Sequence, residues 1–105
     1  MQGLVDLSVE RWNRATHDVA ACTRLIEAHP RPSTPELDAA VRAATAAAVR
    51  VEKACSLAQR GFLRRKYAEL AKARAIPAMS RFVEAFDRAY PDLAAIRRQE
   101  TKRGR

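Results

Sequence analysis

Apolar residues recur along this chain at alternating steps of four and three, and only prolines and one glycine interrupt the repeat. Such spacing lines one face of an α-helix and cannot line one face of a strand. Ser8, Trp12, Ala15, Val19, Cys22, Ile26 and His29 form a first stripe, so a helix is expected from about Asp6 or Ser8 to His29. Pro30-Arg31-Pro32 ends it, because a residue before proline is pushed out of the helical region. Thr34 then stands as an N-cap with Pro35 at the first helical position and Glu36 near the positive end of the helix dipole. The second stripe reads Leu37, Val41, Ala44, Ala48, Val51, Cys55 and Ala58. Gly61 is expected to close that helix in a left-handed conformation.

A third helix is expected over 62–75, with Leu63, Tyr67 and Leu70 on its core edge. Pro77 is expected to kink or break the pattern. A fourth helix carries Met79, Phe82, Val83, Phe86 and Tyr90. Pro91-Asp92 ends it or starts a short last helix with Leu93 and Ile96. Residues 97–105 have no apolar period and read as a mobile basic tail. The expected fold is all-α, an up-down four-helix bundle over residues 1–96 followed by that tail.

The core of such a bundle is thin. Alanine supplies 22 residues and the large apolar types only 26. Alanine removes little area from water, so self-association or a partner surface is expected to supplement it. Cys22 and Cys55 fall on apolar faces, too far apart along an antiparallel pair for a disulfide, and read as small buried hydrophobes. No apolar run reaches the length of a membrane span, and the opening residues lack a signal-peptide pattern, so a cytoplasmic protein is expected.

Charge carries the functional signal. Residues 1–59 hold seven basic and seven acidic side chains, whereas residues 60–105 hold thirteen and five, which accounts for the whole net charge of +8. Such asymmetry points to a polyanionic partner. The candidate nucleic-acid-binding residues are Arg60, Arg64, Arg65, Lys66, Lys72, Arg74 and Arg81, with Arg97, Arg98, Lys102 and Arg103 from the tail. A rigid row of cations can meet several backbone phosphates at once, of RNA or of DNA. No base-reading motif accompanies them, so recognition of backbone or shape is expected. The aromatic residues fit core positions at helical spacing, with Phe62 and Tyr67 the two placed among arginines where a base could stack.

The two histidines form Arg11–His17 and Arg24–His29 pairs, the Arg-x(4–6)-His spacing of the small helical ribonucleases of the HEPN class. Both pairs fall early in the chain, Leu25 replaces the polar residue that usually follows the arginine, and no enzyme is expected. Nor do two histidines without a carboxylate–cysteine cluster make a zinc site, and no cofactor is implied.

Several stretches carry a family likeness. They are Asp6-Leu7-x-Val9 with Trp12 and Ala15, then Arg24-Leu25-Ile26-Glu27-Ala28-His29-Pro30-Arg31, Leu37 with Arg42-Ala43-Ala44, and Gly61-Phe62-x-Arg64-Arg65. In these the chain resembles the four-helix-bundle proteins that include ribosomal-RNA intervening-sequence proteins and accessory proteins of diversity-generating retroelements. The resemblance implies a basic bundle that forms a ring-like homo-oligomer and binds nucleic acid beside a reverse transcriptase. Only Arg64 and Arg65 carry over as site residues. The reading that results is a non-enzymatic accessory protein within a nucleoprotein assembly. Its rival is a helical protein-interaction module, an adaptor or chaperone, working through the alanine-rich face of the second helix.

Overall fold

The computed structural model describes the backbone of residues 2–58 and 61–103, and the side chains in that range except at 2–8, 62–64 and 103. The fold is all-α with four helices: α1 (Gln2–Ala28), α2 (Pro35–Ala58), α3 (Phe62–Ala89) and α4 (Pro91–Arg103). The count matches expectation, but the partition differs. The expected third and fourth helices are one continuous helix that runs through Pro77. Proline costs an interior helix about 3 kcal/mol. Here Pro77 lies on the exposed side, where water can reach the backbone carbonyl it leaves unpaired, while Ala75, Met79 and Phe82 are buried on either side of it. Burial of that face outweighs the local loss. The second correction is at the C-terminus: residues 97–103 continue α4 and are not a tail.

The α2–α3 hairpin organises the rest. On α2 the residues that turn inward are Leu37, Ala40, Ala44, Ala47, Val51, Ala54 and Ala58, an unbroken 3–4 repeat. On α3 they are Ala68, Ala71, Ala75, Ala78, Phe82, Ala85 and Ala89, the same repeat. From Leu37 to Ala54 and from Ala68 to Ala85 the two rows are mirror images about Gly61, so an antiparallel hairpin turning there sets Ala54 toward Ala68 and Ala47 toward Ala75. Ala40, Ala44, Leu37, Phe82 and Ala85 share one core cluster, and Ala47, Val51, Ala71, Ala75 and Ala78 the other. Small side chains at the seam let the two backbones approach closely, and α2 and α3 pack along one another more extensively than any other pair of helices. Gly61 itself is extended (φ 160°, ψ 167°), as the N-cap residue of α3, rather than left-handed.

The expected core of both helices is displaced by this seam. Val41 and Ala48 are exposed to one side of it, and Cys55 is half-buried. Tyr67 and Leu70 are 56% and 46% exposed, because alanines take the inward positions expected for them. Leu63 lies among the residues whose side chains are not described.

α1 and α4 complete the molecule. α1 runs alongside α3 in the same direction, its Cys22 and Leu25 buried with Phe82 and Phe86. α4 packs on α1 and α3 through Leu93 and Ala94. The loop between α1 and α2 is bolted to the α3–α4 corner. The Tyr90 hydroxyl donates to the Pro32 carbonyl (3.0 Å), and the Arg31 guanidinium lies over the Tyr90 ring while donating to both Asp92 oxygens (2.8 and 2.9 Å). That bond holds the Asp92 carboxyl below its ordinary pKa. Thr34 caps α2 as expected, its hydroxyl accepting from the Leu37 amide at 3.1 Å.

α1 and α2 make no close backbone approach to each other; both lean on α3. The molecule is correspondingly thin, 44 × 30 × 18 Å. Its accessible surface is 7752 Å², against roughly 5,900 Å² for a folded monomer of this mass.

The alanine seam makes an unusual prediction. Ala54→Leu adds apolar volume at a fully buried contact, yet should destabilise the fold by about 1–3 kcal/mol, because the helices must separate to admit it. Chemical denaturation should show a lower midpoint; a raised midpoint would mean that the helices do not meet there.

Candidate nucleic-acid interface

The seam divides the hairpin surface into two flanks. With the inward residues at heptad positions a and d, the g positions lie on one flank and the e positions on the other. On the g flank α2 presents Glu36, Ala43, Arg50 and Leu57, while α3 presents Tyr67, Arg74, Arg81 and Arg88. In an antiparallel pair these face one another across the seam. Glu36 and Arg88 do so, joined in a salt bridge, with Glu84 a second acid 3.8 Å from Arg88. The same register sets Ala43 against Arg81, Arg50 against Arg74 and Leu57 against Tyr67.

The middle of this ladder is therefore basic on both sides. Arg50, Arg74 and Arg81 are exposed and have no carboxylate partner among the described residues. Lys53, on the adjoining outer face of α2, is exposed as well and has no carboxylate partner among the described residues. Arg74 and Arg81 stand seven residues apart, about 10 Å along the helix axis. Like charges set opposite each other repel and destabilise the pairing. An anion laid along the flank would relieve that repulsion.

The other expected cations are distributed elsewhere. Arg65 and Lys72, seven residues apart, share the e flank, on the far side of the seam from Arg74 and Arg81, so the candidate cations of α3 do not form one row. Lys72 is half-buried, its ammonium 5.6 Å from the centre of the Trp12 ring on α1. Lys66 points outward between the flanks and has an interaction partner. Arg60 and the side chains of Arg64, Arg103 and Phe62 lie outside the described residues. Lys102 is exposed near the end of α4.

Arg97 is a structural residue rather than part of a binding tail. It is 9% exposed and donates to both oxygens of Asp87 (3.0 and 3.3 Å), with Asp18 of α1 3.8 Å away. It thereby ties α4 to α1 and α3 at once. Its Nε is buried without a partner. Arg98 shares Asp87 at 3.4 Å. Cys22 is packed nearby, and burial pushes its thiol pKa up to about 12, so it stays a neutral hydrophobe near neutral pH.

His17 and His29 are both exposed, and the Arg24 guanidinium that would stabilise phosphate charge is held by Glu100 at 2.7 Å. Among the described residues no group of three metal-ligating side chains comes together.

Arg50 is the residue the sequence-based candidate set lacked. It belongs to the electrically neutral part of the chain, so a count of charges by region hides it. The signal that would have found it is its place, with Arg74, one step off the seam in two mirrored alanine heptads.

No protein family, curated protein or solved structure matches the chain. The likeness to the four-helix-bundle family rests on the residues quoted for it.

If Arg97 holds the C-terminal helix in place, Arg97→Ala leaves Asp18 and Asp87 facing one another without their cation. The expected cost is about 3 kcal/mol, a fall in Tm on the order of 15 °C. Arg98→Ala, at an exposed pair, should change Tm by no more than a few degrees. Equal melting curves for the two variants would refute the structural role.

Proposed function

We propose that this chain is a non-enzymatic protein that binds the phosphate backbone of RNA or DNA through the g flank of the α2–α3 hairpin, as an accessory component of a larger nucleoprotein assembly. The observations that carry this reading are the exposure of Arg50, Arg74 and Arg81 and the Glu36–Arg88 pair, whose register, extended along the hairpin, sets Arg50 opposite Arg74 with Arg81 next on the same flank. A protein surface that only needs solvation gains nothing from opposed arginines, whereas a run of phosphates converts their repulsion into several charge-assisted contacts. Arginine suits the task, since its planar fork matches a phosphate and keeps its charge. The exposed Tyr67 and Leu57 extend the ladder beyond Arg50 and Arg74, where an unpaired base can stack on the ring. The net charge of +8 adds long-range attraction for any such strand.

This reading revises the site expected from sequence. Arg74 and Arg81 remain in it, Arg50 and Lys53 join it, and Arg65, Lys72, Arg97 and Arg98 leave it for the physical reasons above. The affinity of such a surface is backbone-directed, so it should vary little with base sequence and fall steeply with salt.

The triple variant Arg50→Glu, Arg74→Glu and Arg81→Glu should weaken binding of a fluorescein-labelled single-stranded RNA at least tenfold in about 0.1 M salt, and reduce the slope of log affinity against log salt by about 2–3. Arg65→Glu with Lys72→Glu, on the other flank, should leave the slope within about one of wild type. Fluorescence anisotropy over a salt series measures both. A wild-type protein that binds neither RNA nor duplex DNA at low salt, or equal losses from the two flanks, would overturn the assignment.

A further inference from the structure

The side of the hairpin away from the arginine ladder is open in a different way. Because α1 and α2 both lean on α3 without meeting, an apolar groove of about 660 Å³ runs between them. Its floor is α3, chiefly Met79 and Phe82, and its walls are rows of small side chains, Ala20 and Thr23 on one side and Thr45 and Ala48 on the other. On α1 it extends from Trp12 to Glu27, about 22 Å of helix. α4, which in a closed bundle would cover this side, packs instead on α1 and α3 behind it.

We infer that this groove is the seat of a partner α-helix of about four turns that carries an apolar stripe and basic residues at both ends. Three observations select that occupant. Walls of alanine and threonine let a helix backbone approach closely, whereas a compact ligand would leave much of so long a trough unfilled. The surface in excess of a folded monomer, roughly 1,900 Å², is more than the roughly 800 Å² that each partner contributes to a standard protein interface, so the chain has area to spare for a docked helix. Charge then decides the chemistry. In a chain of net +8, the only charged side chains among the described residues that line the groove are Glu27 and Glu52, exposed, without an ion-pair partner there, and toward opposite ends; Lys72 lies against the Trp12 ring beside one end and does not line it. A second copy packed two-fold on the same groove would bring acids against acids, and fatty-acid or phospholipid headgroups would meet the same carboxylates. A helix with Lys or Arg at each end meets them favourably.

Trp12, the sole tryptophan, lines one end of the groove and reports on it directly. The probe is a sixteen-residue helical peptide with a Leu/Ala heptad stripe and two lysines at each end, compared with the same peptide carrying glutamates there. Titration followed by Trp12 emission should saturate with a blue shift, and the lysine-ended peptide should bind at least tenfold more tightly. Glu27→Lys with Glu52→Lys should invert that preference, and Ala48→Phe, which fills an exposed wall position, should abolish binding of both peptides. Circular dichroism melts of the variants exclude unfolding as the cause. Failure of both peptides to move Trp12 emission would overturn the inference, as would a preference that the charge-reversed variant leaves unchanged. A monomer–dimer equilibrium in sedimentation that Ala48→Phe disrupts would assign the groove to a second copy instead. Loss of peptide binding on adding laurate at low concentration would assign it to a lipid.

Discussion

The close meeting of two alanine rows is the interaction on which this structure depends. It lets α2 and α3 pack closely along the seam, and because the inward residues other than Leu37, Val51 and Phe82 are alanines, the register is sensitive to every added methyl group. That register is centred on Gly61, and it dictates what stands on either flank. Slipping it by one heptad would separate Glu36 from Arg88 and Arg50 from Arg74 together. The hairpin's stability and its surface chemistry are thus set by the same small residues. A 28-residue helix containing Pro77 persists for the same reason: the seam is buried on both sides of the proline.

Much of the positive charge is already committed inside the molecule. Arg31, Arg88, Arg97 and Arg98 each hold a carboxylate, and Arg24 reaches from α1 to Glu100 on α4. Exposed pairs of this kind contribute at most about 1 kcal/mol each. Their larger effect is on what remains: they withdraw Arg88, Arg97 and Arg98 from the C-terminal half, while Arg50, Arg74 and Arg81 stay without a carboxylate partner among the described residues. Arg97 differs in kind, because it is buried between two aspartates from two other helices and holds a short, weakly apolar helix onto the core.

The two proposed surfaces are separated by the seam. One flank carries opposed arginines, and the other side opens into a groove whose lining has acids only. Such a division lets one thin protein engage a polyanion and a basic helix together without either competing for the same residues.

The helical class, the Thr34–Pro35 start of α2 and the stop at Pro30–Pro32 were legible in the sequence, because proline geometry, capping and a 3–4 period act within a few residues of one another. Both halves of the seam were present in it too, but bulk misled the choice between overlapping repeats. Val41 and Cys55 are bulkier than Ala40 and Ala54, and Tyr67 and Leu70 bulkier than Ala68 and Ala71, so each offers more apolar area to bury. Which repeat turns inward depends on how near a second backbone comes, and nearness is a property of the packed pair. The fate of each arginine was settled in the same way. Sequence by itself determined that the chain is helical, where α2 starts and that it bears an excess of positive charge, since these follow from local geometry and composition. Only tertiary packing decided that Arg97 is interior and that Arg50 shares a flank with Arg74, because burial and pairing are relations between helices far apart in the chain.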